Sequence, residues 1–231
     1  MLFAGVLANS VGVFLAGLLG AACGKCIPQR VRTTVMSGIG LCVLYVGVTG
    51  IAKGGDFILV LLSIVLGSAL GAALDIDRRL GQLGLWLQGK LRRGEGESRF
   101  AEAFVAATLF VCVGAMSVVA AVESGMRGEH GTFYAKALID SVAVLFMAAS
   151  LGVGCAFSAF PALVYQGALV VCAGLLAPYL TAAVLAQMSC VGSLVIVAIG
   201  LNVLDVTKIK IGNFLPAVFL PILLQPLLGL F

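Results

Sequence analysis

Asp140 stands inside a long apolar run, one helical turn after Lys136 and directly before Ser141. An ionisable side chain within hydrocarbon is costly and is kept for pairing, proton relay or contact with a solute. If the run forms a span over roughly 133–156, the carboxylate lies about 7 Å to the outer side of its centre. There it can bind a proton or a cation during transport. Alternatively, an i, i+4 pair with Lys136 anchors the outer end of the helix. Glu102, near the start of another apolar run, is a second acidic candidate, although its closeness to Arg99 favours an interfacial ion pair. Four amides complete the set: Asn9, with Ser10 beside it, Gln166, and Asn202 and Asn213, which flank Lys208 and Lys210. Amides in apolar segments bind polar solutes or tie helices together.

Enzyme chemistry finds little support. The one histidine, His130, falls in a predicted outer loop. That leaves no histidine cluster for metal or acid–base work and no base to activate a serine. No phosphate-binding glycine loop is present. Cys23 and Cys26 form a CxxC without a second ligand pair, and Cys42, Cys112, Cys155, Cys172 and Cys190 sit in apolar segments, where a thiol packs as a small apolar group. The expectation is a protein that is not an enzyme and has no cofactor or metal.

The elements that position these residues must be membrane helices. The chain is 61% hydrophobic and only 10% charged, with a mean hydropathy of +1.18, whereas about a quarter of the residues of a soluble domain are charged. Spans of about 20 residues fit near 2–24, 34–52, 57–74, 100–122, 133–156, 160–182, 185–204 and 212–231. The fold class is thus an all-α, polytopic helix bundle of about eight transmembrane helices, or seven if a split near Ser158 and Pro161 or near Ala183 fails. With the N-terminus outside, 11 of the 14 Lys and Arg residues lie in inner loops, leaving Lys53, Arg127 and Lys136 outside. This is the bias of a cytoplasmic membrane protein with both termini outside, so the net charge of +4 calls for no nucleic-acid partner. No basic n-region precedes the first span, and that span is expected to stay in the protein.

Two stretches 157 residues apart resemble each other. Asn9 is followed seven residues later by Ala16, Gly17, Leu18 and Leu19, and Gln166 by Ala173, Gly174, Leu175 and Leu176 at the same spacing. Gly55, Asp56 and Phe57 answer to Gly212, Asn213 and Phe214, and Met36, Ser37 and Gly40 to Met188, Ser189 and Gly192 at an offset of 152. Helices 1–3 and 6–8 therefore read as an inverted-topology repeat within a single integral membrane domain. Repeat one covers about 2–74, linking helices about 100–156 and repeat two about 160–231. The polar stretch 75–99 places Leu80, Leu83, Leu87 and Leu91 on one side of a candidate helix, with Trp86 suited to headgroups. It reads as an amphipathic segment on the inner membrane surface or as a flexible loop. Ala4, Ala8, Gly12, Ala16, Gly20 and Gly24 line one stripe of helix 1, which packs within the chain or forms a homo-oligomer. Pro216, Pro221 and Pro226 are expected to kink or break helix 8.

Three segments carry a family resemblance: FVCVGAM at 110–116, AFSAFPALVYQG at 156–167 and GLNVLDVTKIKIGNFLP at 200–216. They resemble signature segments of the YqgA-like bacterial membrane proteins, the family of domain of unknown function 554, over about residues 5–224. The resemblance implies a prokaryotic cytoplasmic membrane protein and no particular activity. The chain departs from that family at Ala72 and Ala73, where an acidic residue is often found. Inverted repeats with polar residues at matched depths fit a secondary transporter of a small polar solute, proton- or cation-coupled through Asp140. A passive channel, or a scaffold or sensor subunit that transports nothing, would use the same features differently. Its environment separates the readings: a solvated cavity around Asp140 favours transport, and direct pairing with Lys136 favours a structural role.

Overall fold

Glycines set the helix pairings. In the computed structural model, which describes residues 3–24, 29–91, 97–113 and 115–228, the first run is helix α1 (Ala4–Gly24), packed along α7 (Gly131–Leu151). A Cβ at Gly5 would strike Phe133, at Gly12 the Ser141 hydroxyl, at Gly20 the Leu145 carbonyl and at Gly24 the Ala149 carbonyl. Both numbers rise together, so the helices are parallel. Three glycines of the small-residue stripe are thus occupied by α7 of the same chain, and an interface between subunits would have to use other surface at these positions.

Two further pairings run antiparallel. Between α2 (Gln29–Ile51) and α10 (Ala182–Val203), Gly40 meets Leu204, Gly47 meets Val197 and Gly50 meets Ser193. Between α3 (Phe57–Ala73) and the 3-10 helix Ile211–Val218, Gly67 rests on the Ala217 backbone and Gly71 on the Asn213 backbone. Close backbone approach of this kind is available only where side chains are small. Asp56 caps α3 by accepting from Leu59 N at 3.0 Å, and Thr181 caps α10 by accepting from Val184 N at 3.3 Å.

All regular structure among the described residues is helical. Helices α1, α7 and α10 and the stretch Val153–Val171, which ends in α8 (Ala159–Val171), are each long and apolar enough to cross a membrane. Counting two bent pairs as single spans raises the number from 4 to 6. These are α3 with α4 (Ile76–Leu91), bent by 53°, and α5 (Glu97–Cys112) with α6 (Ala115–Arg127), bent by 58°. The apolar part of α2, Ser37–Ile51, is shorter. Residues 211–228 form the 3-10 helix and the nine-residue α11 (Leu220–Leu228), with prolines at the interruption as expected.

Boundaries differ from expectation in three places. The break predicted near Ser158 and Pro161 falls at Gly152, whose φ of 105° and ψ of −172° suit only glycine. Pro161 instead sits in the first turn of α8, where its missing N–H costs no helical bond. The first linking helix, expected as one span over 100–122, is a shorter α5 that bends into α6 instead of running straight. Between α8 and α10 lie α9 (Ala173–Leu176) and the 3-10 turn Ala177–Tyr179. The stretch beginning at Asp75 folds into α4, pressed at Gly84 against Ala101 and Phe104 of α5, with Leu83, Leu85 and Trp86 exposed. Lys90 Nζ lies 4.2 Å from the centre of the Trp86 ring. Lys25, Cys26, Arg92 and Arg93 and the side chains of Met36, Leu91 and Arg99 fall outside the described residues.

Candidate functional site

Two polar regions stand out, and the candidate residues divide between them. The first is a cavity of about 700 Å³, within the size range of small-molecule sites. It lies at the end of the bundle where α2, α4 and α5 begin and α7 and α10 finish. Thr33 comes from α2, Asp77 and Gly81 from α4, Glu102 from α5, Ser150 from α7 and Asn202 from α10. Asp205 and Lys208 enter from the loop after α10. Val105, Leu109, Leu151 and Ile199 supply apolar wall. Three carboxylates against one ammonium give the lining a net negative charge.

Several of these groups are held by backbone. Asp77 Oδ1 accepts from Gly212 N at 2.9 Å, while Asn213 Oδ1 accepts from Asp77 N at 3.0 Å. This reciprocal clasp fixes the start of α4 to the 3-10 helix. Asn202 donates to the Ile209 carbonyl at 2.8 Å and accepts from Ile209 N at 3.0 Å and Thr207 Oγ1 at 2.7 Å. Its amide therefore closes the loop 203–210, although its surface also lines the cavity. Asn213 is likewise engaged in the clasp.

The second region is buried in the bundle. Lys136 Nζ and Asp140 Oδ2 form an ion pair at 2.7 Å, and Asn9 lies close enough to interact with the same carboxylate. Asn9 Nδ2 in turn donates to Gln166 Oε1 at 2.9 Å. Relative exposures of 0% for Asn9 and Gln166, 5% for Lys136 and 3% for Asp140 place all four side chains inside the bundle. The pair is direct, the arrangement that favours a structural role for Asp140, and with Asn9 and Gln166 it lies in the protein interior among α1, α7 and α8. Asn9 Oδ1 and Gln166 Nε2 have no hydrogen-bond partner. Ser10 Oγ is buried and likewise unpartnered, and Ser141 fills the notch at Gly12.

Both regions approach one another along α5. Leu109 lines the cavity and is fully buried. Cys112, one turn further on, lies within electrostatic reach of Lys136 and Asp140. Thus Glu102 and Asn202 belong to the cavity, Asn9, Asp140 and Gln166 to the buried group, and Asn213 to the clasp behind the cavity. Sequence reasoning missed Asp77, Asp205 and Lys208 as cavity residues, since their proximity arises where two helix ends distant in sequence, the start of α4 and the end of α10, come together. Asp77 follows the apolar-to-polar transition after α3, the one signal that marks it.

Known proteins resemble the chain over nearly its whole length. The chain is 27% identical to the uncharacterized protein YqgA of Escherichia coli (strain K12), with 92% of each chain covered. It is 23% identical to the uncharacterized membrane protein YdfK of Bacillus subtilis (strain 168), over 94% of this chain and 93% of that one. No solved structure matches. The sequence model for the family described as protein of unknown function (DUF554) matches residues 4–225, and the chain is a membrane protein belonging to that family.

Proposed function

We propose that the protein is a secondary transporter of a small polar solute, built from eight spans with an inverted-topology repeat, and that the 700 Å³ cavity is its cytoplasm-facing chamber. The observation that carries this reading is the cavity's position: α2 of the first repeat, α10 of the second and the linking helices α5 and α7 all wall it. Alternating access by rocking of one repeat against the other would open and close a chamber so placed. Antiparallel packing of α2 on α10 and of α3 on the Ile211–Val218 helix supports the repeat, because these are the segments matched in sequence. Arg30, Arg78, Arg79, Lys208 and Lys210 cluster by sequence position at the cavity end of their helices, which favours a cytoplasmic location for that end and both termini outside. The reading requires no enzymatic step and places the protein in the cytoplasmic membrane of a prokaryote.

Thermal stability of the purified protein against amino acids, organic acids, sugars and metal cations tests it. A ligand at a hundredfold excess over its Kd stabilises by about 2.7 kcal/mol. Gly81 lines the cavity, and an added Cβ meets nothing within 4 Å, so Gly81→Phe fills the chamber without displacing neighbours at the Cβ. A solute that stabilises the wild type and not this variant is the expected result. Equal stabilisation of both would place binding elsewhere.

A further inference from the structure

We infer that the buried group Lys136, Asp140, Asn9 and Gln166 is a binding site for a small zwitterion, reached from the cavity past Leu109. The inference rests on the transport reading and names a substrate class for it. Polar groups deep in a bundle are normally satisfied, yet this group keeps one free acceptor, Asn9 Oδ1, and one free donor, Gln166 Nε2. Asn9 adjoins the carboxylate of the Lys136–Asp140 ion pair, and Gln166 adjoins Asn9. A zwitterion complements all four. Its carboxylate would accept from Lys136 and Gln166, and its ammonium would donate to Asp140 and to Asn9 Oδ1.

Charge balance argues against other solutes. A lone cation would draw Asp140 away and leave Lys136 buried without a counter-charge, and a lone anion would do the converse to Asp140. A neutral solute could use the amides but would leave the ion pair closed. The route follows α5: Leu109 lines the cavity, and Cys112 three residues later lies within electrostatic reach of the pair, a rise of about 4.5 Å along the helix. Leu109 would then be the barrier between the chamber and the site.

The test is saturable uptake into liposomes holding the full-length protein, with glycine and β-alanine as zwitterions, ethylamine as cation, acetate as anion and acetamide as neutral probe. Uptake of the zwitterions alone is expected. Lys136→Met should shift preference to ethylamine and Asp140→Asn to acetate, each lowering zwitterion affinity by roughly tenfold or more, a change of selectivity that a merely structural pair would not produce. Gln166→Leu removes a donor without stranding a charge and keeps the test open if the charge variants do not fold. It should also weaken glycine by about tenfold. Uptake of ethylamine, acetate or acetamide by the wild type that is blocked by Gly81→Phe but indifferent to Gln166→Leu would overturn this site while leaving the transporter reading intact. Absence of uptake for every probe, together with a silent thermal panel, would overturn both.

Discussion

Asn9 donates to Gln166 at 2.9 Å across an interval of 157 residues, the same interval that separates Ala16–Leu19 from Ala173–Leu176. In an object with twofold symmetry, a residue can touch its own equivalent only beside the axis. This contact is therefore where an axis relating two repeats would pass. Truncating one amide strands the other in a buried setting, at a cost of about 1–3 kcal/mol. Asn9→Ala and Gln166→Ala should each lower stability by that amount, and the double variant should lose less than their sum. Unfolding in detergent measures this, and strictly additive losses would show that the bond contributes nothing.

Glycines along the helix pairings should respond according to what a methyl group would meet. Gly20→Ala and Gly71→Ala force a Cβ into the carbonyls of Leu145 and Asn213, and overpacking of this kind costs about 1–3 kcal/mol. Gly89→Ala in α4 meets nothing within 4 Å and should stabilise by about 0.5–1 kcal/mol through helix propensity. Melting temperatures of the three variants in one detergent check the ordering. Similar losses for all three would contradict these helix contacts.

Asn202 holds the loop after α10 through three hydrogen bonds. Asn202→Ala should loosen that loop and let its backbone at the exposed Lys208 and Lys210 enter trypsin. In inside-out vesicles, cleavage there should accelerate about tenfold or more, taking the loss of roughly 1.5 kcal/mol of local stability. An unchanged rate would mean the amide does not secure the loop.

Orientation is checked with single added cysteines in a variant whose native thiols are removed. Glu129→Cys should react with an impermeant maleimide on intact cells, and Lys208→Cys only after the cells are opened, because Lys and Arg are retained on the cytoplasmic face. The reverse pattern would turn the cavity outward.

Much of the fold was legible because length and apolarity alone specify a span. Predicted spans at 2–24 and 57–74 correspond to Ala4–Gly24 and Phe57–Ala73 within two residues. Where the chain breaks without a charge, the sequence offered less. Gly152 ends α7 through a backbone conformation that glycine shares with no other residue, while Pro161, the more conspicuous breaker, lies harmlessly in a first helical turn. The bend between α5 and α6 has no proline to announce it. Of the site, Asp140 with Lys136 and Asn9 with Gln166 could be paired from spacing and repeat offset. Their meeting in one buried group could not, since it depends on α7 lying parallel to α1. Cavity residues were less readable: Glu102 and Asn202 were named, but Asp77 and Asp205 are ordinary loop-end acids until the start of α4 and the end of α10 come together.

Solute movement by alternating access through the cavity is the central claim, and counterflow tests it most directly. Liposomes containing the protein are preloaded with an unlabelled amino-acid mixture, and uptake of a labelled mixture is followed from outside. The account predicts that preloading accelerates uptake, that the rate saturates, and that Gly81→Phe abolishes both. Uptake that rises linearly with concentration, is indifferent to preloading and survives Gly81→Phe would contradict it and point to a passive pore elsewhere in the bundle.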